Sequence, residues 1–142
     1  MTRILVINPN TTAGMTDKIA VAARQAAGAQ TEIVALTSPR GPRSIEGYFD
    51  EATSLYGLMQ CIHNSSGFDA VVVACFDDTG LDAARCLTDK PVIGIGETGL
   101  TEARAVGDIG VVAISSNAKQ RHYDYYRALG FESDICGERA ID

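Results

Sequence analysis

The sequence predicts an α/β fold, a parallel sheet flanked by helices. Short runs of β-branched and aliphatic residues alternate five times with segments of helical period, and turn-forming residues mark the handovers. With 46% of its 142 residues apolar and 21% charged, the chain has enough apolar material to bury the core of one ordinary domain.

Residues 3–8, RILVIN, form an aliphatic run bounded by Asn8, Pro9 and Asn10, as expected of a strand buried on both faces. Over 12–27 the period changes, with Met15, Ile19, Ala22, Ala23 and Ala26 on one helical face and Gly28 at the end. Residues 31–36 read as a second strand, after which Ser38, Pro39, Gly41 and Pro42 impose a long loop. Helical spacing returns over 51–64 through Leu55, Leu58, Met59 and Ile62, with Gly67 beyond it. The run at 68–75, FDAVVVAC, is the most strand-like in the chain, and 79–88 carries Leu81, Ala84 and Leu87 at amphipathic spacing. A strand at 91–95, a helix at 98–106, a strand at 108–114 and a helix at 117–129 closed by Gly130 complete the series. Such alternation predicts a flavodoxin- or Rossmann-like arrangement with right-handed crossovers and ligands at the carboxyl ends of the strands.

Composition excludes several classes. A net charge of −6 argues against a nucleic-acid backbone or an anionic membrane as the main partner. No apolar run reaches the length of a spanning helix, and no secretory signal precedes the first strand, so the expected location is the cytoplasm. There Cys61, Cys75, Cys86 and Cys136 are reduced thiols, and their spacing contains no pair suited to structural zinc.

The strand-end rule selects the loops that matter. Asn8, Asn10, Thr11 and Thr12 offer amides and hydroxyls at a helix start, where they either cap the helix or bind a carboxylate or carbonyl. Cys75 lies where the third strand hands over to a helix. A helix N-terminus contributes roughly 0.3–2 kcal/mol toward a thiolate, against roughly 1.36 kcal/mol per pKa unit, so one helix end brings such a thiol near neutrality. Asp77 and Asp78 oppose this if their carboxylates face the sulfur. The alternative is a buried structural cysteine, the reading that stands for Cys61 and Cys86. Ser115, Ser116 and Asn117 follow the fifth strand, with Ser116 or Asn117 as candidate cap.

Gly94, Gly96 and Gly99 match the dinucleotide pattern G-x-G-x-x-G, but after the fourth strand, with Glu97 facing any pyrophosphate and no ribose-binding acid at the usual offset. A tight turn or hinge is the competing explanation. His63 and His122 read as surface or partly packed residues, and Tyr123, Tyr125 and Tyr126 as packing and rim residues. No Ser-His-Asp order or glycosidase-type carboxylate pair emerges.

Four segments together are specific: VINPNTT at 6–12, GPRSIEGYFDEA at 41–52, FDAVVVACFDDTGLDAAR at 68–85 and PVIGIGE at 91–97. In this order, and over essentially the whole chain, they resemble the Asp/Glu/hydantoin racemase superfamily, specifically its hydantoin and allantoin racemases. The resemblance implies two pseudo-symmetric α/β lobes, with residues 1–95 the first and 96–142 the start of the second. It implies cofactor-free catalysis by two cysteines, Cys75 being one, acting on the carbon between ring carbonyl and ring nitrogen of a 5-substituted hydantoin or allantoin. Developing enolate charge needs donors, for which the Asn8 and Asn10 amides, Ser115, Ser116 and the N–H groups of the 75–78 turn are placed. The resemblance puts residues 44–49 at the pocket border, and Ile45, Tyr48 and Phe76 are then candidates for the side-chain subsite.

The family's second cysteine sits in a glycine-flanked motif that has no counterpart here, and Cys136 in ESDICGERAID reads instead as the start of a later strand. A C-terminally truncated racemase is therefore expected, the alternative being a natural short relative that lost two-base catalysis. The expected partners are a small cyclic ureide and like subunits in a homo-oligomer, with neither nucleic acid nor membrane. Alternatives are an amino-acid or dicarboxylate racemase or a decarboxylase of the same superfamily, and a non-catalytic flavodoxin-like ligand-binding module.

Overall fold

A computed structural model describes residues 1–141. Strand β1 (Thr2–Asn8) is followed by α1 (Ala13–Ala26), β2 (Thr31–Thr37), α2 (Tyr48–His63), β3 (Ala70–Val73), α3 (Leu81–Arg85), β4 (Val92–Gly94) and α4 (Ile95–Arg104). Then come β5 (Ile109–Ala113), a 3-10 turn (Ser116–Ala118), α5 (Lys119–Leu129) and β6 (Ile135–Ala140). The first four strands form one sheet in the order β2-β1-β3-β4. All its pairings are parallel, with Ile4 opposite Ile33 and Ala70 and with Val71 opposite Val92.

Alternation along each strand gives this sheet two unlike faces. On one, Leu5, Ile7, Val71 and Val73 pack under Leu58, Cys61 and Ile62 of α2 and Leu81 and Ala84 of α3. The other face is covered by α1, and a trough of about 530 Å³ remains between that helix and Ile4, Val6, Ile33, Val72 and Ile95. Its walls on α1 are Ile19, Ala22, Ala23 and Ala26, most of the apolar stripe read from the sequence.

The alternation alone predicts one sheet, but β5 does not extend it. It pairs in parallel with β6, and the register shifts between Ile109 and Gly110. This smaller unit has its own core of Leu100, Ile109, Tyr126 and Phe131. No helix of the described residues is long and apolar enough to cross a membrane.

Several boundaries differ from expectation, among them the start of α2 at Tyr48 and both ends of β3, and three differences have a clear physical reason. Helix α3 (Leu81–Arg85) starts late because Asp78 and Gly80 precede it with φ of 48° and 74°, left-handed backbone that a helix cannot absorb. Helix α4 starts at Ile95, three residues early, because its first N–H groups find a tertiary acceptor described below. The cap before α5 is Ser115, whose hydroxyl accepts from the Asn117 N–H at 3.2 Å, in place of Ser116 or Asn117.

Candidate active site

The carboxyl ends of β1, β3 and β5 and the loop before α2 converge on a cavity of about 410 Å³, within the range of small-molecule sites. Of the residues expected there, Asn8, Asn10, Ile45, Cys75, Phe76, Asp77 and Ser115 line it. Thr11, Tyr48 and Ser116 are not among its lining residues. Thr11 is drawn onto the loop before α2, where both its N–H and its hydroxyl donate to the Pro42 carbonyl, at 2.9 and 3.1 Å. Tyr48 opens α2 with its ring 55% exposed and donates its phenol to Asp124 at 2.5 Å. Ser116 begins the 3-10 turn and faces solvent. Cys136 lies on β6, outside the cavity lining, with its thiol donating to the Ile109 carbonyl at 3.3 Å.

The β1 loop is built around Asn8, only 1% exposed. Its amide donates to Asn10 Oδ1 at 3.0 Å, Thr16 Oγ1 at 3.1 Å and the Thr12 carbonyl at 3.3 Å, and its Oδ1 accepts the Asn10 N–H at 3.2 Å. Asn8 is thus committed to the framework. Asn10 Oδ1 also accepts the Thr12 N–H at 2.9 Å, whereas its Nδ2 meets only the Met15 sulfur, at 3.5 Å. A thioether is a weak acceptor, so the Asn10 amide is the donor that remains available to a ligand.

Cys75 lies two residues beyond the end of β3. Its thiol donates to Asp77 Oδ1 at 2.7 Å and lies 3.6 Å from Thr79 Oγ1, which itself donates to the same carboxylate oxygen at 3.0 Å. Arg121, reaching back from α5 and 4% exposed, pairs with Asp77 Oδ2, donates to Thr79 Oγ1 at 2.8 Å and donates to Glu51 Oε2 on α2 at 2.7 Å. Burial pushes the Cys75 thiol above its ordinary value; the Thr79 hydroxyl and N–H and the Arg121 charge pull it back, and Asp78 adds to the rise. The expected helix-end activation is therefore not what governs the sulfur. Helix α3 begins only at Leu81, and the groups that touch the thiol are the Asp77 carboxylate and the hydroxyl and N–H of Thr79.

Asp78 turns the opposite way. Its carboxylate accepts the N–H groups of Gly96 at 2.9 Å and Glu97 at 2.7 Å, and the Tyr125 phenol at 2.6 Å. The N-terminus of α4 is thus filled from within the protein, which explains the glycine pattern: a Cβ on Gly94 would overlap the Asp78 carboxylate, and one on Gly96 the Phe76 carbonyl. Gly94 and Gly96 permit this close approach, and the Gly96 and Glu97 N–H groups are taken by Asp78 where a pyrophosphate would need them.

The sequence did not single out Thr79, Glu51 or Arg121, and His122, expected at the surface or partly packed, is instead buried against the cavity. His122 lines the cavity, is buried, meets the Phe76 ring edge-on at 5.5 Å and places Nδ1 3.0 Å from Glu138. The available signal was helical spacing, because Ala118, Arg121, His122, Tyr125 and Tyr126 share one face of α5 and most of that face is buried.

Fold and site define a class first, a parallel α/β protein holding a thiol at a strand end in a cavity of small-molecule size. Residues 4–142 match the Asp/Glu/Hydantoin racemase family, and the chain belongs to it. A hydantoin racemase of Pseudomonas sp. (strain NS671) is 41% identical over 140 residues, covering 96% of this chain and 56% of that protein. One from Paenarthrobacter aurescens is 38% identical over 132 residues, covering 90% and 56%. The structure of allantoin racemase from Klebsiella pneumoniae aligns with a TM-score of 0.96 at 39% identity, covering 100% of this chain and 59% of that one. The chain spans a little over half the length of these relatives.

Proposed function

We propose that the whole protein is a cofactor-independent racemase of 5-substituted hydantoins or allantoin, in which Cys75 is one of two acid/base groups. The observation that carries this reading is the Cys75 thiol, held against Asp77 at 2.7 Å in a cavity formed at the strand ends. As thiolate, Cys75 takes the proton from the ring carbon, the electron pair moves toward the ring carbonyl oxygen, and a second acid returns a proton to the opposite face. The Asn10 amide and the Ser115 hydroxyl border the cavity as donors to the enolate oxygen. In the 75–78 turn the Asp78 N–H is already closed onto the Cys75 carbonyl at 3.0 Å, so Phe76 and Asp77 carry the remaining turn N–H groups. Ile45, Phe76 and Ile114 supply an apolar wall for the ring substituent.

Among the described lining residues there is no lysine or arginine, and the nearby Arg121 is spent on Asp77, Thr79 and Glu51. This favours an uncharged cyclic ureide over a dicarboxylate. The same reading takes residues 1–95 as a first lobe and 96–142 as part of a second, in a cytoplasmic homo-oligomer.

The test uses protein expressed from its complete reading frame. An optically pure 5-substituted hydantoin or allantoin in deuterated buffer is expected to lose rotation and take up one deuterium, and Cys75→Ala is expected to abolish both. Constant rotation with no deuterium uptake by the wild type rejects the activity, and unaltered turnover by Cys75→Ala rejects the assigned residue.

A further inference from the structure

We propose that Arg121 is a positioning residue for Cys75, fixing from the second sheet's helix the two side chains that touch the sulfur. Its guanidinium reaches Asp77, Thr79 and Glu51, three side chains from two other segments, and is itself buried. A planar fork of five donors can serve three divergent acceptors at once, a task the point charge of lysine does not perform.

Two consequences follow at the sulfur. A carboxylate beside a thiol opposes its ionisation unless that charge is matched, and Arg121 supplies the match at the far oxygen of Asp77. The second consequence concerns direction. A guanidinium only donates, so its bond to Thr79 Oγ1 occupies an oxygen lone pair and obliges the single hydroxyl hydrogen to point elsewhere. The acceptors within reach are Asp77 Oδ1 at 3.0 Å and Cys75 Sγ at 3.6 Å. With the sulfur protonated, that hydrogen lies on Asp77; with the sulfur ionised, it swings to the thiolate while Arg121 keeps the oxygen in place. Thr79 thereby becomes a donor reserved for the anionic sulfur.

Other charges around the thiol are accounted for. Asp78 is occupied by α4 and Tyr125, Glu51 by Arg121, Glu97 by Arg85, and Glu138 by His122 and Tyr126. Glu46 and His122 border the same cavity. None of these makes a hydrogen bond to the sulfur, which leaves Asp77 and Thr79, both held by Arg121, as its polar neighbours.

The catalytic half of this inference rests on the racemase reading; the thiol half does not, and the experiment separates them. Full-length wild type, Arg121→Lys, Arg121→Met and Thr79→Val are labelled with iodoacetamide across a pH series, and modification of the peptide containing Cys75 is followed by mass spectrometry. Following that one peptide excludes signal from the exposed Cys86 and Cys136. The midpoint of Cys75 labelling is expected to move to higher pH in all three variants, furthest in Arg121→Met. In racemisation assays kcat is expected to fall at least tenfold at neutral pH with KM little changed, and to recover partly as pH is raised. A folded Arg121→Lys or Thr79→Val whose labelling midpoint matches wild type overturns the inference, whatever the turnover; Thr79→Val decides the matter if both Arg121 variants fail to fold. Shifted midpoints in a protein without racemase activity uphold the thiol half and reject the function alone.

Discussion

Asp77 and Asp78 are chain neighbours with opposite fates. Asp77 lies in the turn after β3 and faces the Cys75 thiol and the Arg121 guanidinium. Asp78, with φ of 48°, swings its carboxylate onto the first turn of α4 and the Tyr125 phenol. One carboxylate belongs to the chemistry of the cavity and the other to the joint between the sheets. The difference shows how a single left-handed residue beyond the strand lets two adjacent acids serve two sites.

The strongest way to break this contrast is Asp78→Ala, which strands the donors of Gly96, Glu97 and Tyr125. Each buried donor left without its acceptor costs about 1–3 kcal/mol, and urea unfolding is expected to show a loss of about 3 kcal/mol or more. Gly96→Ala attacks the same joint by volume, since its Cβ would press on the Phe76 carbonyl and the Tyr125 hydroxyl; about 2–3 kcal/mol is expected from overpacking. Tyr125→Phe deletes one donor to a charged acceptor and should cost about 1.5 kcal/mol by the same measurement.

The Asp77 side is sharpened by charge. Asp77→Asn leaves Arg121 positive beside the sulfur, so Cys75 labelling is expected to move to lower pH, opposite in sign to the Arg121 variants. Asp78→Asn, further from the sulfur, should move it in the same direction by less.

The pH dependence of stability sets Asp78 apart from Cys75. Burial raises Asp78 above its ordinary 3.8 despite the donors around it, so its contribution is full below that pH and is lost as pH rises through the folded value. Asp78→Asn should flatten this limb of a chemical-denaturation series. Burial likewise raises the Cys75 thiol above its ordinary 9.0, so stability present below pH 9 is lost as pH rises through the folded value. Cys75→Ala should reduce the slope between pH 8.5 and 9.5, before the raised phenols of Tyr125 and Tyr126, ordinarily at 10.0, begin to contribute.

Much of the fold was legible because strand and helix periods are local. RILVIN and FDAVVVAC announce β1 and β3, and Cys75 follows from its place at the end of the latter. The boundaries of α3 and α4 were not legible, since both depend on the backbone of Asp78 and on where its carboxylate goes. The partners of the thiol were harder still. Arg121 sits in KQRHYDYYR, whose charge reads as a solvated face, and its acceptors lie 42 and 70 positions away in the chain. Nor does sequence reveal that Asn8 is consumed by its own loop, because an asparagine presents the same amide whether capping, bracing or binding.

The spacing of these contacts also sets an order of events during synthesis. Asp78 meets Gly96 across 18 positions, whereas Arg121 meets Glu51 across 70. Contacts between near residues close sooner than those between distant ones, and ribosomes extend a chain at about 5–20 residues per second. For some seconds, then, a nascent chain displays a finished third strand and a joint ready for α4, while Cys75 waits without its guanidinium. In that interval the thiol has only its chain neighbours Asp77 and Thr79, and the Asp77 charge beside it goes unmatched until the helix bearing Arg121 leaves the exit tunnel.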